Sequence, residues 1–173
     1  MPLSLNRRVS LWYGSAPYRP HEDRMHAHNK VAEAFLIESG ADFQAARVLF
    51  RNGCYARSTY LAQQTVEKAL KASLALRGIF TTDHSLSPLF SALYSAAFPE
   101  MERLVAAVQA LERLGGRARF PLYHREDLPI WIPSRELGKR ESASALTHCE
   151  FVYQNVKGYL VEVEGLDSFA DEA

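Results

Sequence analysis

Between Ala27 and Arg77 the chain has no proline and only two glycines, Gly40 and Gly53. A stretch this long without the residues that break regular structure, and with this much apolar content, is a helix former. Val31, Phe35, Ala41, Ala45, Val48 and Leu49 recur at near-helical spacing and predict a first helix from about Ala27 to Arg51, which Gly40 interrupts without breaking. Asn52 and Gly53 supply the stop, because glycine readily takes the left-handed conformation that ends helices. A second helix then runs from about Tyr55 to Arg77. Leu61, Thr65, Ala69 and Leu70 lie on one face, with Ala62, Ala72 and Leu74 nearby, and Gln64, Glu67, Lys68 and Lys71 form a polar strip. Two long helices joined by so short a turn must lie antiparallel.

The rest of the chain reads the same way. Ser87 and Pro88 are an N-cap and first-turn proline, opening a helix through Phe98. Pro99 opens a fourth helix to about Leu114, which Gly115 and Gly116 terminate. Arg117 to Pro133 is a long irregular connection holding Pro121, Pro129 and Pro133, and connections of this length are often functional. A last helix runs from about Arg135 to Val161, with Leu137, Ala145, Cys149, Val152, Val156 and Leu160 on one side. No strand-like alternation of useful length occurs. The expectation is an all-α antiparallel bundle of about five helices in one domain. An N-terminal extended arm of residues 1–26, rich in Pro, Arg and aromatics, precedes a bundle of residues 27–163, and an acidic tail of residues 164–173 follows it.

Charge is balanced overall, with 20 Lys+Arg against 20 Asp+Glu, so bulk charge gives no argument for a general nucleic-acid binder. The basic residues are nevertheless concentrated between Arg113 and Arg140. Cys54 and Cys149 are far apart and outside any CxxC pair, His21, His26 and His28 form no firm ligand spacing, and no metal site is read. With no segment long and apolar enough to span a bilayer, and no signal-peptide pattern in Met1 to Lys30, a cytoplasmic, reducing setting is expected, with no membrane partner.

Four elements in order carry a resemblance. Ala41-Asp42 leads into Ala45, Ala46 and Leu49. Gly53 and Tyr55 precede Gln63-Gln64, Glu67-Lys68, Ala69-Leu70 and Lys71-Ala72. His84, Leu86 and Leu89 follow, and then Arg119-Phe120-Pro121. This pattern resembles the HEPN family, with Phe120 where the family's Arg-Tyr-Pro form has tyrosine, and it covers Ala27 to about Tyr159. The resemblance implies a helical bundle, often a homodimer, from nucleotide- and RNA-related systems. Some relatives act with a separately encoded nucleotidyltransferase in toxin–antitoxin-like pairs. Others are metal-independent ribonucleases that use Arg-x(4–6)-His. No nucleotidyltransferase signature occurs in this chain, so that activity would belong to a partner, and no cofactor is implied.

Arg119 to His124 fits Arg-x4-His, and Arg117 to His124 fits Arg-x6-His. A guanidinium can neutralise a phosphate, and an imidazole can take the proton of a 2′-hydroxyl. Arg119 and His124 are therefore the candidate catalytic pair. Pro121 disfavours a helix through the motif, which favours binding over catalysis. The candidate nucleotide- or phosphate-binding set is Arg117, Arg119, Gln64, Glu67, Lys68 and Lys71. Glu67 is expected to pair with Arg119, leaving the lysines for an anion. His84 is read as capping the next helix or closing its loop on the core, and Trp131 as packed on the bundle or a second subunit, with base stacking as an alternative. The favoured function is a HEPN-type module that binds a nucleotide or RNA. The alternatives are a metal-independent ribonuclease and a non-enzymatic dimeric scaffold.

Overall fold

Two serine hydroxyls set the register of the first two helices. Ser39 Oγ donates to the Thr65 carbonyl at 2.7 Å, and Ser58 Oγ donates to the Ala46 carbonyl at 2.8 Å. Stepping forward along one helix means stepping back along the other, so the pair is antiparallel. In the computed structural model, which describes residues 21–123 and 129–166 (without the side chains of the first four), these helices are α1, His21–Arg51, and α2, Tyr55–Leu76. Gly53, at φ +76°, makes the turn between them. Among the described residues there follow α3, Ser87–Tyr94, α4, Met101–Arg119, a four-residue α5, Pro133–Glu136, and α6, Lys139–Glu162. There is no strand among them, only an isolated bridge between Leu122 and Trp131.

Helix α2 is the centre of the bundle, with α1, α4 and α6 packed around it. Its buried residues are mostly small (Ala56, Ser58, Thr59, Ala62, Thr65, Ala69, Ala72, Ser73, Ala75), which lets three neighbours approach its backbone. Helix α1 offers Ala32, Leu36, Ser39, Phe43 and Ala46, spaced alternately by four and three as in a bundle seam. Helix α6 offers Ala145, Cys149, Val152, Val156 and Leu160. Phe90, Tyr94, Phe98 and Tyr159 form an aromatic cluster over one end, with adjacent ring centroids 5.1–6.4 Å apart. The Tyr94 hydroxyl donates to the Ser73 carbonyl at 2.7 Å, and burial pushes its pKa up to about 12. That bond ties α3 to the last turn of α2.

Several boundaries differ from the sequence expectation. Helix α1 begins at His21, inside the expected arm of residues 1–26; residues 1–20 lie outside the described residues. Met25 and His26 are exposed, and the sequence here has no apolar period to reveal the helix. The buried stripe of α1 is rotated from the expected one, and Val48 is 52% exposed. Helix α3 ends at Tyr94 rather than Phe98, and the last long helix begins at Lys139, after the separate turn of α5. Helix α4 runs through Gly115 and Gly116 to Arg119 instead of stopping at them. Its neighbour explains Gly115: a Cβ there would lie 3.1 Å from Gln63 Cδ, so the position is small for close approach and not for chain termination. Of the expected tail of residues 164–173, Leu166 is buried and Glu164 binds Arg77 of the C-cap of α2; residues 167–173 lie outside the described residues.

Candidate functional site

Glu67 is the most constrained charged side chain of the bundle. It sits mid-way along α2, 6% exposed, where an unpaired carboxylate would be costly. Four donors compensate it. Lys71, one turn on, reaches Oε1 at 2.7 Å, and His84 Nδ1 meets the same oxygen at 2.9 Å. Gln63 and Gln64 donate to Oε2 at 3.0 and 3.2 Å, and Gln64 also donates to Gln63 Oε1 at 2.7 Å. Burial alone would raise the carboxyl pKa. The hydrogen bonds of Lys71 and Gln63, the charge of Lys71 and the bond with His84 outweigh it, and the pKa lies below its ordinary value. Glu67 is therefore ionised at neutral pH and acts only as an acceptor, so a neutral His84 must carry its proton on Nδ1.

A second carboxylate fixes the loop that presents His84. Glu112, on α4, accepts from the backbone N–H groups of Leu86 at 2.6 Å and Ser87 at 2.9 Å and from the Ser87 hydroxyl at 2.8 Å. It caps α3 from a different helix, because no side chain at the N-cap, Leu86, does so. His84 is left two-thirds exposed, with only its Nδ1 edge bound.

Between these groups lies a cleft of about 230 Å³, lined by Tyr60, Gln63, Gln64, Glu67, His84, Glu112, Gly115, Gly116 and Arg119. Gly115 lets α4 lie close to the Gln63 amide of α2, and both glycines keep the wall free of side chains. Arg119 is the last residue of α4, exposed, with its guanidinium 4.7 Å from the centroid of the Phe120 ring. It also borders a second cleft of about 300 Å³ between the start of α2 and the segment around Ile132, Pro133 and Leu137. The cleft residues thus come from three parts of the chain: the middle of α2, the loop before α3 and the end of α4.

The sequence matches the HEPN domain family over residues 32–159, which takes in this whole cleft. The chain belongs to the HEPN family. A candidate toxin of Methanocaldococcus jannaschii is 31% identical over 143 residues, covering 79% of this chain and 93% of that protein. The crystal structure of an archaeal HEPN homologue superposes with a TM-score of 0.57 at 22% identity, covering 75% of this chain and 97% of the other. A crystal structure of a Thermus thermophilus protein gives 0.58 at 26% identity, covering 73% and 95%.

In this HEPN chain the expected site residues are sorted by geometry into three groups. Gln64, Glu67 and Arg119 line the cleft, while Lys71 lies behind them, committed to Glu67. The expected Glu67–Arg119 ion pair is absent: both carboxylate oxygens are already occupied from α2 and the loop. Lys68 points to the opposite side, where it pairs with Asp42 at 2.7 Å and Glu38 at 3.5 Å and ties α2 to α1. Arg117 is turned toward Trp131. Its guanidinium lies 4.1 Å from the indole centroid, and its carbonyl accepts the indole N–H at 2.8 Å. Trp131 packs on the small cluster of Ala56, Ala118 and Leu137. His124 lies outside the described residues. Two participants were missed in the sequence. His84, read as a cap or loop closure, instead binds Glu67, and Glu112 performs the capping. The only sequence signal for His84 was its place in the family pattern, and for Glu112 there was none.

No helix among the described residues is long and apolar enough to cross a membrane, and none of their His, Cys, Asp and Glu side chains form a cluster of three suited to a metal ion.

Proposed function

We propose that this HEPN protein binds a nucleotide or RNA through a phosphate held in the α2–α4 cleft. Further, it works as a homodimer with a separately encoded partner of nucleotidyltransferase type, in a toxin–antitoxin-like pair. The observation that carries this reading is the cleft lining: an exposed arginine at the mouth, amides and a histidine along one wall, and a glycine pair on the other. The guanidinium and the imidazole suit an oxyanion, while the amides of Gln63 and Gln64 are turned to Glu67 and shape the wall. The relative named as a candidate toxin gives the partnered arrangement its support.

Binding is favoured over Arg119–His124 catalysis by the backbone at the end of α4. Phe120 is extended, at φ −128° and ψ 152°, and Pro121 follows, so α4 ends at Arg119 and no helix carries the chain from Arg119 through Pro121. The chain instead leaves toward the Leu122–Trp131 bridge, whose two hydrogen bonds are both 3.0 Å.

Fluorescence anisotropy with labelled single-stranded RNA and with nucleotides tests the reading. Arg119→Ala should weaken binding by about tenfold or more, as expected for loss of one charge-assisted hydrogen bond worth ~1.5–3 kcal/mol. His124→Ala should leave affinity unchanged. RNA cleavage in EDTA that leaves 2′,3′-cyclic ends and disappears in both variants would replace this reading with the ribonuclease one. Light scattering should give twice the chain mass at micromolar concentration; a monomer would remove the dimer from the proposal.

A further inference from the structure

His84 is placed to do more than hold its loop. Its Nδ1 is 2.9 Å from a carboxylate that is ionised and acceptor-only, so the neutral ring keeps its proton there and carries a lone pair on Nε2. Nε2 has no partner among the described residues, and the ring is two-thirds exposed at the edge of the cleft. A lone pair facing an anionic oxygen is repulsive. The same ring, protonated at Nε2, becomes a charged donor still braced by Glu67.

The charges around the ring decide which anion would recruit that proton. On α2, Lys71 and Glu67 offset each other. On α4, the Glu112 carboxylate is spent on the first N–H groups of α3, and Arg119 faces the cleft as a positive group without a carboxylate partner among the described residues. Asp83, the ring's neighbour in the loop, is exposed. A singly charged internal phosphodiester is matched by Arg119 alone. A phosphate monoester carries ~1.5–2 negative charges near neutral pH, with a second pKa of about 6. It needs a second positive group, and it can share a proton with Nε2.

We infer that the cleft recognises a terminal phosphate, a phosphate monoester on a nucleotide or an RNA end, with His84 as the direct ligand that takes up a proton on binding. This inference rests on the phosphate-binding reading above. Glu67 serves as the positioning residue that fixes the tautomer. Lys71 holds Glu67 in its ionised form, and Glu112 holds the loop at the distance where the ring reaches Glu67.

Isothermal titration at pH 7.5, repeated in buffers of different ionisation enthalpy, reads both parts of the inference. The ligands are AMP, a 5′-phosphorylated oligoribonucleotide and the same oligonucleotide without its phosphate. Phosphorylated ligands should bind at least tenfold tighter than the unphosphorylated one, with uptake approaching one proton per site. AMP matching the oligonucleotide assigns the site to free nucleotides, and a tighter oligonucleotide assigns it to RNA ends. His84→Gln should abolish the proton uptake and most of the terminal-phosphate preference, with residual binding through Arg119 and a thermal melt lowered only by the few degrees that weakening one donor to Glu67 costs. Equal affinity with and without the terminal phosphate overturns the inference, as does proton uptake that survives His84→Gln. Binding without either signature leaves the phosphate-binding reading standing and removes His84 from it. No binding by any of the three ligands overturns both.

Discussion

Replacing Glu67 with glutamine should destabilise the bundle by an amount set by its four donors. Glutamine keeps one acceptor oxygen and turns the other into an NH2 group. In one orientation that group faces the amide donors of Gln63 and Gln64; in the other it faces Lys71 and His84. Either way two donors lose their partner, and Lys71 loses its counter-charge. Breaking a buried pair from one side costs ~3–5 kcal/mol, and a hydrogen bond to a charged group is worth ~1.5–3 kcal/mol. Two features of the site reduce the loss. Lys71 keeps 15% exposure and can turn toward water, and Gln64 already has Gln63 Oε1 as a second acceptor. The expected loss is therefore about 2–4 kcal/mol, or roughly 5–15 °C in melting temperature for a chain of this size. The exposed Glu150→Gln on α6 should stay within about 0.5 kcal/mol. Chemical denaturation at a series of pH values tests the cause as well as the size. The folded pKa of Glu67 lies below the ordinary value of 4.5, so its contribution is complete above that value. It is lost as the pH falls through the lower folded pKa, and the gap between wild type and variant should close there. An equal, small loss for Glu67→Gln and Glu150→Gln would refute the pairing, and a gap unchanged in acid would refute its electrostatic origin.

Three further outcomes follow from the walls of the cleft. Gly116→Ala should stabilise α4 by about 0.5–1 kcal/mol, because a Cβ there meets nothing within 4 Å and alanine is the better helix former. Gly115→Ala should fail to gain this and should weaken ligand binding, since its Cβ would press at 3.1 Å on a Gln63 held in place by Glu67; equal melting temperatures for the two variants would count against that packing. Glu112→Ala should cost about 1–2 kcal/mol through the uncapped start of α3, and hydrogen exchange should show faster exchange at Leu86 and Ser87 than at Val66 or Leu70.

The fold was legible where burial is one-sided and breakers are local. The turn at Gly53, the proline start of α3 and the long stripe of α6 were all readable, because each rests on propensity or period within a few residues. The failures occur where tertiary contact overrides that local signal. Gly115 and Gly116 look like a helix stop, yet α4 passes through both, and at Gly115 the missing side chain makes room for Gln63. Helix α2 gave only an approximate face, since three neighbours bury most of its circumference, and its polar strip divides between two partners. Lys68 belongs to the α1 contact, and Glu67 to the cleft.

The site was legible by residue type but not by pairing, for a physical reason. A buried carboxylate is satisfied by whichever donors the fold delivers, and sequence spacing constrains only those on its own helix. Lys71, four residues from Glu67, could be placed in advance. The fourth donor could have been any distant cation, and the arginine of the Arg-x4-His segment was the natural expectation. The fold delivers His84 instead, because Glu112 draws the start of α3 against α4 and leaves the loop before it lying across Glu67. Once His84 and Lys71 share Oε1 and the two glutamines hold Oε2, Arg119 has no carboxylate left to meet there and stays at the mouth of the cleft. An exposed guanidinium beside a fully satisfied carboxylate keeps its charge for a ligand. The missing Glu67–Arg119 pair therefore strengthens the case for anion binding: had that pair formed, it would have neutralised the arginine that borders both clefts.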